Sequence, residues 1–289
     1  MSPGPDAPAP PEYVAARTVL LDAIDALVQH RASLIVVGAQ AVYLRAGSAG
    51  FQTAPFTTDG DLALDPMQLG AAPRLETALR EQGFALKVNR DGSEEPGTWM
   101  GSAIVAGRTF PVPVDLIVPD AVLTTTAGRR SARIPPHDRR AAKRARGLEA
   151  ALVDRDALAV AGLAPGDTRR VTINVAGPTA LVVAKVHKIC DRLDDRRPTR
   201  VVAKDASDVL RLVRTTTAAD MIAALRDLSR HPVAGPATRH AIEGFDRLFR
   251  RPSSDGVRLA VLALATDVPV AIVEAQLTER ARQLRDGLT

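Results

Sequence analysis

Residues 33–65 read SLIVVGAQAVYLRAGSAGFQTAPFTTDGDLALD. SLIVVG (33–38) is a short β-branched run ending on glycine, the pattern of a buried strand. AQAVYLRAG has helical periodicity and is closed by Gly47. A loop over 48–56 leads into DLALD, which opens a second strand. Glycine at the strand-to-helix turn lets an anion approach the N–H groups of a helix N-terminus, which makes Gly38 and Ala39 candidate contacts. Asp59 and Asp61 stand two apart, so a strand would present both carboxylates on one face. Like charges that close repel unless a cation or proton intervenes. Taken alone, D-G-D reads first as a turn, since Asp and Gly are the commonest turn residues.

The surrounding elements extend the pattern. Residues 12–30 and 72–82 have helical spacing, and GFALKV (83–88) reads as a strand. DGSEEPG (91–97) reads as a loop. WMGSAIVAG and TFPVPVDLIV flank a Gly-Arg turn and predict a hairpin. Pro111 and Pro113 suit a strand edge or entry. Asp115 lies inside the apolar run VDLIV, where a carboxylate is costly unless paired or metal-bound. VTINVAG (171–177) is one more strand. From Pro178 onward only helices are expected, over 179–194, 204–214, 218–229, 236–250, 255–265 and 269–286. The fold class is α+β: a mixed-sheet module over 12–177, then a helical domain over 178–289. Residues 1–11 form a Pro-rich tail, expected to be disordered.

Composition narrows the function classes. The chain has 289 residues, 46% of them hydrophobic but only 3% aromatic, so its core is mostly aliphatic. The formal charge of +5 favours an acidic partner. The basic residues are nearly all arginine, and Lys87, Lys143, Lys185, Lys188 and Lys204 are the only lysines. The single cysteine, Cys190, excludes an internal disulfide and reads as a buried thiol. No apolar stretch approaches the roughly 20 residues of a membrane helix. The N-terminus lacks the pattern of a signal peptide. The expectation is a soluble cytoplasmic protein without a membrane partner. RRSARIPPHDRRAAKRAR (129–146) carries eight Lys or Arg against one acid, Asp138, and its second half is expected to run into a helix. Arg129, Arg130, Arg139, Arg140, Lys143 and Arg144 are its candidate RNA contacts, in balance with a solvated basic face. It has no aromatic stacking platform.

Taken together, VVGAQAVYLRAG, TTDGDLALD and VDLI resemble the nucleotidyltransferase superfamily with the DNA polymerase β-like fold. KVHKICDR (185–192) and AKDASDVLRL (203–212) look like the C-terminal motifs of AbiEii-type nucleotidyltransferases, a group that includes the MenT toxins of toxin–antitoxin systems. The resemblance implies a polymerase β-like domain followed by a helical bundle. It implies transfer of a nucleoside monophosphate from an NTP, with Mg²⁺ or Mn²⁺ on Asp59, Asp61 and Asp115. Lys185 would take phosphate charge. Gly38, Ala39, Thr58, Lys188, Asp205 and Asp208 would line the nucleotide. The implied acceptor is the tRNA 3′ end or another RNA, and the implied partner a cognate antitoxin. Two departures stand out: Ala39 replaces a glycine or serine, and FQTAPFTT lacks the arginine common before the D-x-D, for which Arg45 is the candidate substitute. Two further readings stay open: a small-molecule nucleotidyltransferase of the antibiotic-modifying type, and a catalytically degenerate binding or regulatory protein.

Overall fold

The computed structural model describes residues 9–47, 49–51, 56–123, 130–195, 203–264 and 266–289. Most of the expected N-terminal tail, part of the FQTAPFTT loop and Arg129 lie outside the described residues.

Helix α1 (Pro11–Ala26) starts on a proline, whose absent N–H is not needed there. Strand β1 (Leu34–Val36), helix α2 (Gly38–Ala46) and strand β2 (Gly60–Leu64) follow as the sequence predicts. Next come α3 (Leu75–Glu81), β3 (Ala85–Val88), β4 (Glu94–Val105) and β5 (Arg108–Pro119). The β4–β5 hairpin turns on Ala106 and Gly107, both with positive φ, rather than on Gly-Arg. Two left-handed residues match the twist of a two-residue hairpin. The expected loop 91–97 is shorter than predicted, because β4 already begins at Glu94.

The basic run does not continue into a helix. It forms β6 (Lys143–Ala145) and then a 3₁₀ turn over Glu149–Leu152. Strand β7 (Arg155–Ala161), which the sequence reading lacks, pairs antiparallel with β8 (Arg170–Ala176). Strand β7 fully buries only Val160, which hides the apolar alternation that reveals a half-buried strand. From Pro178 the chain is helical: α4 (Pro178–Asp194), α5 (Ala203–Thr215), α6 (Ala218–Arg230), α7 (Gly235–Phe249), α8 (Asp255–Leu264) and α9 (Val270–Leu288). The observed bounds lie within two residues of those predicted.

The eight strands form one mixed sheet in the order β3-β4-β5-β2-β1-β8-β7, with β6 added on β5. Strand β2 is parallel to β5 and antiparallel to β1, and β1 is parallel to β8. The half of β5 that carries Pro111 and Pro113 pairs with β4, while β2 joins only from Val114 onward. Prolines are tolerated there because no second strand needs their amides. At Asp115 β4 leaves β5, and from Ile117 β6 takes over the same edge. Gly97, at φ +71°, makes this exchange possible: a Cβ there would lie 2.2 Å from the Lys143 amide nitrogen.

Helix α1 packs on β2, β4 and β5, and α2 packs on β2 and against α4 and α5. The core is aliphatic around one buried tryptophan, Trp99, whose indole N–H donates to the Ala141 carbonyl at 2.9 Å. That bond anchors the basic segment to β4.

Candidate active site

Asp61 and Asp115 sit opposite each other in the parallel register of β2 and β5. Thr98 of β4 is opposite Asp115 on the other side. Residues opposite across a ladder share a face, so Asp61, Asp115 and Thr98 form one row. Gly60 points the other way, onto Leu20 of α1, and acts as a core spacer.

Gly38 supplies the wall of the site. It opens α2 at φ +67°, a conformation that favours glycine. A Cβ there would lie 1.9 Å from the Asp61 Oδ2. The Asp61 carboxylate therefore rests against the start of α2, and the Val37 N–H donates to the Asp61 carbonyl at 3.0 Å. Asp59 precedes the strand. Its carboxylate accepts from the Thr57 hydroxyl, and its carbonyl accepts from the Gln40 amide at 3.0 Å. Gln40 is buried and also accepts from Arg17 Nε at 2.7 Å and donates to the Ala16 carbonyl at 3.1 Å. This network ties the D-G-D entry to α1 and α2. Neither Gln40 nor Arg17 carries a sequence signal that separates it from other polar helix residues.

Burial pushes the Asp61 carboxyl up, the charges of Asp59 and Asp115 push it further, and Lys188 and Lys143 only partly offset them, leaving it at about 7. Among the described residues no ion pair reaches Asp59 or Asp61. Asp115 differs. Its carboxylate accepts from the Thr98 hydroxyl at 2.7 Å and is ion-paired with Lys143. Among the described residues no three His, Cys, Asp or Glu side chains are already drawn together as a metal cage. What Asp59 and Asp61 offer is an oxygen-only donor pair with uncompensated charge, the chemistry that suits Mg²⁺ or Mn²⁺.

Helices α4 and α5 close the other side. Asp154 accepts from the Ala180 N–H at 2.8 Å at the first turn of α4, and Gly177 makes room for it. Lys185 is buried, with its ammonium 2.8 Å from Asp205 and 2.7 Å from Asp208. Burial lowers its pKa, but the two carboxylates outweigh that and the net shift is upward. Burial raises Asp205, yet Lys185, Lys188 and Arg192 bring its carboxyl down to about 2. Both of the ammonium's close contacts are carboxylates within the α4–α5 interface. Lys188, one turn on, is 48% exposed, lies 3.4 Å from Asp205 and acts electrostatically on Asp61. Lys204, beside the Tyr43 ring, interacts with Asp59 in the same way, and burial lowers its pKa. Lys188 and Lys204 thus act on the carboxylates through their charge, whereas Lys185 is held between Asp205 and Asp208.

The remaining candidates separate. Ala39 is buried and Thr58 is exposed. Arg45 does not stand in for the missing arginine: it pairs with Asp156 at 2.6 Å and donates to the carbonyls of Val175 and Ala176. In the basic run, Arg130 pairs with Glu95, Arg140 with Glu94, and Arg144 with Asp120. Arg133 and Arg139 are exposed, as is Arg146. Lys143, expected to contact RNA, instead meets Asp115. Its rarity among arginines was the available signal. Thr98 had none, because its role depends on register. Cys190 is buried, as expected.

No family model matches the chain, and no curated protein matches it. Among solved structures, the crystal structure of JHP933 from Helicobacter pylori is similar at a TM-score of 0.42 and 13% identity, over 94% of this chain and 91% of that one.

Proposed function

We propose that this chain is a metal-dependent nucleotidyltransferase with a polymerase β-like catalytic module. The observation that carries this reading is the row Asp61, Asp115 and Thr98 across three strands, with Gly38 held against Asp61. Asp59 and Asp61 would hold Mg²⁺ or Mn²⁺, which supplies positive charge to the triphosphate oxygens. Lys188 on α4 and Lys204 on α5 act electrostatically on the same carboxylates and take up further phosphate charge, as compact ammonium groups do. Lys185, Asp205 and Asp208 fix α4 against α5 and so aim Lys188.

In the reaction the acceptor hydroxyl oxygen bonds to the α-phosphorus. The bond from that phosphorus to the bridging oxygen breaks, and its electron pair leaves on pyrophosphate. Asp115, held by Thr98 and Lys143, would orient the acceptor hydroxyl, whose proton passes to solvent water. Such catalysis is mostly positioning and charge neutralisation. The basic surroundings oppose a cationic small-molecule acceptor. Exposed Arg133, Arg139 and Arg146, on the segment that carries Lys143 to Asp115, support an RNA acceptor. Following the family resemblance, that acceptor is the 3′ end of tRNA, and the chain is a toxin with a cognate antitoxin.

The test is incubation with each labelled NTP, Mg²⁺ and total tRNA, comparing wild type with Asp61→Ala. Label is expected in RNA only with wild type. Equal labelling by both proteins, or none by wild type with any NTP, would sink the reading.

A further inference from the structure

The carboxylates of the row are unequal. Asp59 and Asp61 have no ion-pair partner among the described residues, whereas both oxygens of Asp115 are engaged. One accepts from the Thr98 hydroxyl at 2.7 Å, and the other meets the Lys143 ammonium. The same ammonium lies 3.4 Å from the Thr98 hydroxyl.

The position of Lys143 is built into the sheet rather than reached by a loose surface chain. It opens β6 opposite Ile117 of β5 and also bridges to Ser131. Its neighbours are tied down: the Gly97 N–H donates to the Arg140 carbonyl at 2.8 Å, and the Ala132 N–H donates to the Ala142 carbonyl at 3.0 Å. Gly97 has no side chain where the Lys143 backbone crosses it. The side chains of Lys143 and Asp115 are only 23% and 21% exposed, so solvent screens the pair weakly.

We propose that Lys143 is the resident cation of the Asp115 position, so that the site takes one divalent ion, at Asp59 and Asp61, instead of two. This rests on the nucleotidyltransferase reading and specifies its metal requirement. An ammonium held on Asp115 repels a divalent ion at the same carboxylate. It also provides fixed positive charge where the acceptor oxygen sits, one of the tasks a second metal performs in two-metal sites. Lys143 is then a positioning residue for Asp115 and contributes little to RNA binding.

The test is Mn²⁺ binding to the full chain without nucleotide, counted by the loss of the free-ion electron paramagnetic resonance signal. Wild type is expected to take up one Mn²⁺, abolished in Asp61→Asn. Lys143→Met should take up two, the second lost when Asp115→Asn is added. Lys143→Arg, which keeps the charge and checks that the segment still folds, should stay at one. Two ions on wild type, or one on a folded Lys143→Met, would overturn the inference and leave the nucleotidyltransferase reading standing. No uptake by wild type would overturn both.

Discussion

Replacing Lys185 with methionine gives a sharp test of how α4 and α5 are held together. Methionine keeps most of the side-chain volume, so the change is chiefly the loss of one charge. Lys185 has carboxylate oxygens at 2.8 and 2.7 Å, and the Asp208 side chain is 0% exposed. Without the ammonium, Asp205 keeps Lys188 and Arg192. Asp208 keeps only the more distant charges of Lys204 and Arg211, and its Oδ1 lacks a hydrogen-bond partner among the described residues. A buried charge stripped of its partner costs about 3–5 kcal/mol. For a chain of this size that corresponds to a fall in Tm of about 10 °C. Differential scanning calorimetry at neutral pH reads it directly. Lys188→Met is the control: that pair is longer and its lysine half-exposed, so its loss should cost about 1 kcal/mol or less. Adding Asp208→Leu to Lys185→Met removes the stranded charge and should restore most of the loss. A Lys185→Met protein melting within about 2 °C of wild type would refute the claim that this ion cluster locks the helices.

Two further outcomes are expected. The folded-state pKa of Asp61, about 7, lies above its ordinary value, so the folded protein retains a proton that the unfolded chain releases. Stability should therefore decline as pH rises from about 4 to about 7, and Asp61→Asn should flatten that slope and gain up to about 4 kcal/mol at pH 8; thermal melts across this range check it, and an unchanged slope in the variant would count against it. Gly38→Ala places a methyl 1.9 Å from the Asp61 carboxylate in a left-handed conformation, so it should both destabilise the chain, by about 1–2 kcal/mol, and abolish Mn²⁺ uptake; calorimetric titration of a folded variant that still binds Mn²⁺ like wild type would contradict the close packing of turn and carboxylate.

Much of this architecture was legible before any coordinates. Helices α4 to α9 announce themselves by apolar periodicity between Gly, Pro and polar breaks, and tertiary packing then fills the faces already marked. The β1–α2–β2 unit is equally local: a β-branched run, a glycine at the turn, then a D-x-D strand entry. Strand β7 was not legible, because RDALAVA fully buries only Val160 and so carries no strong apolar alternation. The same limit applied to β6, a three-residue strand inside an arginine-rich run whose composition suggested an exposed helical face.

What the sequence determined by itself was the order of the elements apart from β6 and β7, and which carboxylates were candidates, since both depend on residue type and short-range spacing. It also marked the lysines as informative by their scarcity. Only the tertiary structure decided which lysine meets which carboxylate. Lys143 lies 28 positions from Asp115 in the chain, and they meet because β6 takes over the edge that β4 vacates at Gly97. Lys185 and Lys188 are three apart on one helix, yet the packing of α4 on α5 buries one ammonium between two aspartates and leaves the other half-exposed at the edge of Asp205. Strand register and helix packing set these distances, and Coulomb energy depends on distance in space rather than separation along the chain.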